Sequence, residues 1–417
     1  MDDDILSQGD DREPRQWPRR VWVLAALALA VVAGVVYVVI PHHQPAATAA
    51  AAPSPSASPS AEAPAGANPG SISVSGNLVI PGEPVTRDGI VIRTQPWADG
   101  LRLPVAGPQP TWFWPATGRS ERIGGLPADS AGYQFAPVDG GWAVEGDSAA
   151  KNACSGCAGF AMPVWFLADG APSATRVGTA NVVAPAAGAD ALWLTTYPAR
   201  ANSVTAAGTA REVGPTGALL QPPVVLPAGY VIEQGTDRGL LLAPTNPALG
   251  TGADRLWSPA SRQTTRTFGQ VIAASAAEVA SAPRCAPTCS VQVLDLATGR
   301  HTTVRLPAGS AATNGAFSPT GGYLALQVTS ENLGDDGALA IRLEVASVAS
   351  GRLTAVPGTF VSSDALAGFG WPATSNSLVA EFNFESTTQL ASWHPGASEL
   401  SLAAVKPGPT QAALVVG

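Results

Sequence analysis

A strand–turn–strand phrase recurs along residues 112–402, and it limits the possible folds more than any other feature. The best copy, residues 290–306, reads SVQVLDLATGRHTTVRL, which is two strand-like stretches around a Gly-containing turn. Spacings of about 40–50 residues with four strands per unit are typical of propeller blades. Seven copies have turns near Gly118, Gly170, Gly208, Arg262, Gly299, Gly351 and Gly396.

A second phrase alternates with the first, and it supports the same fold. Residues 316–328 read AFSPTGGYLALQV, and related copies occupy residues 134–144, 183–194 and 370–380. This phrase resembles the blade motif of TolB-type and WD-repeat propellers. The resemblance implies that the loop leads from one blade into the inner strands of the next. No copy contains the Gly-His and Trp-Asp pairs of true WD repeats.

The sequence therefore predicts an all-β fold over residues 71–417, most simply a propeller of seven blades. A four-stranded sheet cannot bury both faces alone, so such units stack around an axis and close into a ring. The 44 glycines and 38 prolines favour many turns, and only 13% of residues are charged. Six or eight blades, or a pair of β-sandwiches, are the alternatives.

Residues 21–40 form a candidate membrane anchor. These twenty residues carry no charge, and a helix of that length spans the roughly 30 Å core of a bilayer. Four arginines precede the segment, and no Lys or Arg follows before Arg87. The positive-inside rule then predicts a cytoplasmic N-terminus and an extracytoplasmic C-terminal domain. A cleaved signal peptide and a buried core helix are the alternatives.

The remaining N-terminal segments are predicted to be a short cytoplasmic tail, residues 1–20, and a linker, residues 41–70. The linker is rich in Ala, Pro and Ser, and between residues 44 and 70 its one charged residue is Glu62. It cannot bury enough apolar surface to fold, and its prolines favour an extended spacer. Stalks of this composition outside cells are often O-glycosylated.

Four cysteines lie in the predicted propeller as two short-spaced pairs, Cys154/Cys157 and Cys285/Cys289. An even number of cysteines in an oxidising compartment favours disulfides. Both pairs precede a hairpin copy in units that a ring would hold apart, so pairing within each pair is the simplest connectivity. A thioredoxin-like redox role for Cys154 and Cys157, and a zinc site of all four, are the alternatives.

Charge argues against nucleic acid as a partner. Residues 71–417 contain 19 basic and 24 acidic residues without a basic cluster, whereas neutralising phosphates requires concentrated Lys and Arg. Arginine greatly outnumbers lysine, of which there are two, Lys151 and Lys406. Together with the many alanines, this composition indicates a high-GC genome, such as that of an actinobacterium.

No catalytic, cofactor or metal site is predicted. The outer domain has two histidines, His301 and His394, in or beside hairpin turns, where solvated side chains are expected. The chain lacks a Gly-x-Ser-x-Gly elbow, a His-Glu-x-x-His site and a phosphate-binding loop. The acidic loop 331–337 lacks the alternating oxygen ligands of a dedicated calcium site.

Most tryptophans of the outer domain fall in strands, where core packing is expected. Trp371 and Trp393 lie beside prolines or at turns, and they are therefore the candidate contact residues for a partner. Eight tryptophans are involved: Trp112, Trp114, Trp142, Trp165, Trp193, Trp257, Trp371 and Trp393.

Three functions fit this sequence. The first is a non-enzymatic binding or scaffold protein of the cell envelope, whose partner is a protein or a glycan. The second is an extracytoplasmic hydrolase or lyase acting on a glycan, which requires carboxylates that converge at the axial mouth. The third is an accessory subunit of a membrane complex, for which residues 26, 30 and 34 offer small-xxx-small spacing within the anchor.

Overall fold

The computed structural model describes strands 85–87 and 90–92, Trp97, and residues 101–405 with gaps. The gaps are residues 107–108, 129–131, 148–160, 199–205, 246–252, 283–288, 334–338, 358, 360, 363–365, 373–374, 385–386 and 399. The chain divides into two units, Met1–Ala65 and Gly66–Gly417, and all described residues belong to the second unit. The described part of the chain contains no helix that could serve as a membrane span. The predicted tail, anchor and linker all lie outside the described residues.

Seven antiparallel sheets follow one another along the described chain, and strands adjacent in sequence are adjacent in each sheet except for one short extra strand in the sixth. A separate hairpin, β1 (Val85–Arg87) and β2 (Ile90–Ile92), precedes them. Blade 1 has three described strands: β3 (Leu103–Val105), β4 (Thr111–Trp114) and β5 (Arg119–Arg122). Blade 2 consists of β6 (Gly132–Val138), β7 (Gly141–Asp147), β8 (Met162–Ala168) and β9 (Thr175–Ala180).

Blades 3 to 5 each have four strands. Blade 3 consists of β10 (Val182–Pro185), β11 (Leu192–Thr196), β12 (Thr209–Val213) and β13 (Val224–Val225). Blade 4 consists of β14 (Tyr230–Thr236), β15 (Gly239–Pro244), β16 (Arg255–Ser258) and β17 (Gln263–Thr267). Blade 5 consists of β18 (Gln270–Ala274), β19 (Glu278–Ala282), β20 (Ser290–Asp295) and β21 (His301–Arg305).

Blades 6 and 7 complete the series. Blade 6 consists of β22 (Ser310–Phe317), β23 (Tyr323–Leu333), β24 (Leu339–Ser347) and β25 (Leu353–Ala355), and β26 (Val361–Ser362) also pairs with β24. Blade 7 consists of β27 (Leu366–Gly370), β28 (Leu378–Phe384), β29 (Thr387–Trp393) and β30 (Ser401–Val405).

The hydrophobic core is divided into seven clusters, each between two neighbouring blades. Successive side chains of a strand point to opposite faces, so in β15 Leu240 and Leu242 pack toward blade 3 while Leu241 packs toward blade 5. The seventh cluster joins Leu390 of blade 7 to Leu103 of blade 1 and closes the ring. A seven-bladed propeller is therefore confirmed, and paired β-sandwiches are excluded.

The inner and outer strands are distinguished by burial. All residues of β5 and β17, the last strands of blades 1 and 4, are exposed. The first strands of neighbouring blades contact each other, as β10 contacts β14 and β18 contacts β22. First strands therefore surround the axis and fourth strands form the rim. Charged residues such as Arg119 and Glu121 on β5 discourage pairing with another chain.

Both recurring phrases correspond to hairpins of the blades. The phrase at 316–328 joins β22 to β23 inside blade 6, so the loop does not connect two blades as the resemblance implies. The other phrase joins third and fourth strands, and six predicted turn residues have positive φ: Gly118, Gly170, Arg262, Gly299, Gly351 and Gly396.

The seventh predicted turn is wrong. Gly208 lies just before β12, and the turn between β12 and β13 contains Gly217, which has a φ of 82°. The composition there is weakly patterned, and β13 is only two residues long. A short final strand leaves little alternation from which the hairpin could be located.

Candidate ligand-binding site

The loops between first and second strands converge on one face of the propeller around a cavity of about 410 Å³. Blades 2 to 6 contribute residues 137–139, 185–187, Gln234, 274–278 and 315–321, and blade 7 contributes Trp371. Because these loops follow the innermost strands, the cavity lies at the axial mouth. A volume of this size suits a side chain with its adjoining backbone or a small ligand.

Backbone hydrogen bonds between blades hold the loops of the mouth together. The Asp190 N–H of blade 3 donates to the Asp139 carbonyl oxygen of blade 2 at 2.9 Å. The Asp237 N–H of blade 4 donates to the Ala276 carbonyl oxygen of blade 5, also at 2.9 Å. Bonds of this kind satisfy loop groups that secondary structure leaves unpaired, so the cavity is largely pre-formed.

Small side chains leave space in the mouth. At two glycines of this region, close packing leaves no room for a side chain. A Cβ on Gly315 would lie 3.0 Å from the Ala325 carbonyl oxygen and 3.2 Å from the Ala273 Cβ. A Cβ on Gly235, beside Gln234, would lie 2.9 Å from the Ala186 Cα. Larger residues at these positions would displace the backbone that shapes the cavity.

Glu278 is the most unusual group at the mouth. It begins β19, and burial together with the nearby Asp295 carboxylate raises its pKa to about 7. Its Oε2 atom is buried without a hydrogen-bond partner among the described residues. A buried acceptor without a donor is energetically costly, so Glu278 is available to a donor supplied by a ligand.

A second acidic group lies farther out on the same face. Burial raises the pKa of Asp169, Arg102 lowers it, and the Asp190 and Asp139 carboxylates raise it. Arg102 lies over the Trp112 ring, 4.0 Å from its centroid, and donates to the Ala171 carbonyl oxygen at 3.2 Å. These contacts hold the guanidinium beside the turn that contains Asp169.

A third carboxylate, Glu233, lies deeper along the axis at a bulge of β14. Glu233 is exposed to solvent, but the surrounding protein and the Asp254 carboxylate raise the pKa of its side chain to about 7. Asp254 Oδ2 accepts a hydrogen bond from the Val271 N–H at 2.8 Å.

The two candidate contact residues are both largely buried. Trp393 is 3% exposed, and its indole N–H donates to the Ala397 carbonyl oxygen at 2.8 Å. Trp371 is 7% exposed, its indole N–H donates to the Ala316 carbonyl oxygen at 3.0 Å, and it lines the mouth. Both tryptophans pack in the core between blades 6 and 7. A contact role for either residue stays a prediction.

Cys289, His301 and His394 are not part of the described lining of the mouth. Cys289, the one cysteine among the described residues, is disulfide-bonded and lies between β19 and β20. Cys154, Cys157 and Cys285 lie outside the described residues, so the pairing stays a prediction. His301 and His394 are exposed. The acidic loop predicted at 331–337 lies mostly outside the described residues.

The polar groups of the described lining are two carboxylates and several neutral side chains. Within the described ranges, no group of three or more His, Cys, Asp or Glu residues could hold a metal ion. Asp139 and Glu278 are the two carboxylates of the lining, and Gln234, Ser275, Ser318 and Thr320 add neutral polar groups.

Sequence reasoning missed Glu278, although the repeat contains a signal for it. The first residue of the second strand is Gly239 in blade 4, Tyr323 in blade 6 and Leu378 in blade 7. In blade 5 the same position is the acidic Glu278. A charged residue where the other copies are uncharged marks a departure from the structural repeat.

Comparisons with known proteins add similarities of fold. No family model and no curated protein matches the chain. A prolyl endopeptidase structure is 12% identical with a TM-score of 0.47, covering 72% of this chain and 47% of that one. TolB from Acinetobacter baumannii is 10% identical with a TM-score of 0.37, covering 62% and 64%.

Hydrazine synthase from Kuenenia stuttgartiensis also matches, at 12% identity and a TM-score of 0.38, over 60% of this chain and 73% of that one. The matched part thus spans about half of the prolyl endopeptidase chain and less than two thirds of the TolB chain. These similarities concern the fold alone.

Proposed function

We propose that this chain is a non-enzymatic binding or scaffold protein of the cell envelope, and that its partner enters the axial mouth of the propeller. One observation carries the proposal. The mouth is a pre-formed cavity of about 410 Å³ whose lining is mostly small side chains and in which Glu278 Oε2 is buried without a hydrogen-bond donor among the described residues. A protein segment or a glycan could supply the missing donor and fill the apolar space.

The N-terminal sequence supports a location at the membrane. Residues 21–40 are long and apolar enough for an anchor, with arginines on one side only, and residues 41–70 have the composition of a spacer. We therefore place the propeller outside the cytoplasm, in a high-GC organism such as an actinobacterium. A reporter enzyme that is active only outside the cytoplasm, fused after Gly417, is expected to be active. An inactive reporter would contradict this orientation.

Site-specific photo-cross-linking tests the binding function. A photoreactive amino acid replaces Thr320, an exposed residue of the mouth, in the full-length chain expressed in its own cells. The matched control places it at Ala116, an exposed residue of the β4–β5 turn on the rim. We expect light-dependent adducts of defined mass from position 320 and none of that mass from position 116. Identical adducts from both positions, or none from position 320, would refute a partner at the mouth.

A glycan hydrolase or lyase is the second candidate, because one observation favours it. Asp139 and Glu278 line the same cavity, and a carboxyl group with a pKa of about 7 is suited to act as a general acid. Incubation of the full-length protein with envelope glycans tests it. Release of fragments that depends on both Asp139 and Glu278 would establish the enzyme, whereas the binding function predicts no release.

A further inference from the structure

The charged residues in the described lining of the mouth are all acidic. The lining contains the carboxylates of Asp139 and Glu278 but no Lys, Arg or His among the described residues. Arg238 follows Asp237 close to the lining, yet its guanidinium points elsewhere. Its Nε donates to the Leu296 carbonyl oxygen at 3.3 Å, and its Nη2 donates to the Ala297 carbonyl oxygen at 3.0 Å. The described lining therefore supplies no cation of its own to the cavity.

The loop that precedes Glu278 holds the carboxylate in place. The Ser275 N–H donates to the Glu278 carbonyl oxygen at 2.9 Å, and Ser275 Oγ accepts from the Glu278 N–H at 3.0 Å. The side chain then lies against Gly321 of blade 6, where a Cβ would be 3.1 Å from Oε2. The glycine leaves room for the carboxylate but supplies no side-chain donor.

The neutral polar groups of the lining already have internal partners. Ser318 Oγ accepts from the Tyr323 N–H at 3.1 Å, and Gln234 Nε2 donates to the Gly235 carbonyl oxygen at 2.9 Å. Glu278 differs from them because its Oε2 is both buried and unmatched. Glu278 Oε2 therefore lacks a hydrogen-bond donor, and the negative charge of the lining favours a donor that is positively charged.

We propose that the mouth recognises a cationic group, a primary ammonium or a guanidinium, through the carboxylate of Glu278. The cavity is large enough for a lysine or arginine side chain with its adjoining backbone. Charge-assisted hydrogen bonds are stronger than neutral ones, and the low-dielectric lining strengthens them further. This inference rests on the proposed binding function and names the chemistry of the ligand.

Recognition of this kind depends on pH. Asp295 faces Glu278 from the end of β20, Asp139 lies on the same cavity, and Arg238 is the cation near these loops. Burial and Asp295 raise the pKa of Glu278 to about 7, so the carboxylate is mostly ionised at pH 8 and mostly protonated at pH 6. Binding of a cation therefore weakens as the pH falls through 7, by about tenfold over that range.

The test titrates the full-length protein with the blocked pentapeptide acetyl-Gly-Gly-Lys-Gly-Gly-amide and with its norleucine counterpart, which has the apolar stem without the charge. We expect the lysine peptide to bind at least tenfold more tightly than the norleucine peptide at pH 8. Glu278→Gln removes that preference, whereas Glu121→Gln, on the exposed strand β5, retains it. Equal binding of the two peptides, or a preference that survives Glu278→Gln, would overturn the inference.

Cross-linking from position 320 in the Glu278→Gln background separates the two proposals. Adducts that persist at the wild-type yield leave the binding function standing and refute recognition of a cation by Glu278. Adducts that are present in the wild type and lost in Glu278→Gln support both proposals. Adducts absent from the wild type refute the binding function, and the peptide titration then decides the inference by itself. A circular dichroism spectrum like that of the wild type shows that the variant is folded.

Discussion

The indole N–H of Trp371, just after the first strand of blade 7, donates to the carbonyl oxygen of Ala316 in the first strand of blade 6 at 3.0 Å. The same indole stacks on Tyr323, with ring centroids 6.3 Å apart and an angle of 21° between the planes. Ala316 and Trp371 both line the mouth. One side chain therefore joins two blades and shapes the cavity.

Trp371→Phe tests that double role. The variant loses the hydrogen bond to the Ala316 carbonyl oxygen and part of a buried ring, so we expect a loss of about 1–2 kcal/mol in the free energy of unfolding. Trp393→Phe is the matched control, because its indole bonds within blade 7 to Ala397. Both variants should lose similar stability in chemical denaturation, but only Trp371→Phe should lower the cross-linking yield at the mouth. Equal yields would show that Trp371 has no part in binding.

Substitutions at two glycines, Gly118 and Gly125, distinguish the energetic cost of backbone strain from that of a steric collision. Gly118 has a φ of 68°, and a Cβ added there would meet no other atom within 4 Å. Gly125 has a φ of 76°, and its Cβ would lie 2.2 Å from the Ala174 carbonyl oxygen. Gly118→Ala should cost about 1 kcal/mol, since an L-residue is strained there. Gly125→Ala should cost at least twice as much, measured by urea denaturation. Equal costs would show that the chain relieves the collision at Gly125 by moving.

Much of the fold could be predicted from sequence, because it depends on short-range patterns. Alternation in strands such as β15 and Gly residues in turns such as the one at Gly299 follow from local stereochemistry. The β12–β13 hairpin could not be located, because two residues of strand carry no period. The mouth could not be predicted either, since Glu278 and Gly321 are brought together only by the stacking of blades 5 and 6.

Glu278 should make folding stability depend on pH. Its folded pKa of about 7 lies above the ordinary value of 4.5, so the folded state binds more protons between these values. Stability contributed by the protonated group is therefore present below pH 4.5 and is lost as pH rises to 7. Because the side chain is only half-buried, solvent screening reduces the effect to about 1 kcal/mol.

Glu278→Gln measures this contribution by difference. The variant should be about 1 kcal/mol more stable than the wild type at pH 8 and nearly equal to it at pH 4.5, as determined by denaturation at each pH. Glu121→Gln, on exposed strand β5, should follow the wild type at both values. A Glu278→Gln variant with a stability difference independent of pH would show that the carboxylate titrates normally.

Closure of the ring depends on the cluster between blades 7 and 1. Leu390 is fully buried there and packs with Leu103 and Phe113. Leu390→Ala should cost about 2–5 kcal/mol, since it removes apolar contacts and leaves a cavity. Leu219→Ala is the control, because Leu219 is 55% exposed and should change stability by less than about 0.5 kcal/mol. If Leu390→Ala and Leu219→Ala lowered the free energy of unfolding equally, the result would argue against a closed ring.

The connectivity of the cysteines is open to direct measurement. Cys289 is disulfide-bonded, and it lies between the second and third strands of blade 5. Residues 154 and 157 lie between the second and third strands of blade 2 in sequence, so pairing inside each blade is expected. Peptide mapping of the unreduced protein should recover Cys154–Cys157 and Cys285–Cys289. Reduction should change stability little, because loops this short remove little chain entropy. A Cys157–Cys285 peptide would contradict the predicted pairing and require two distant blades to be cross-linked.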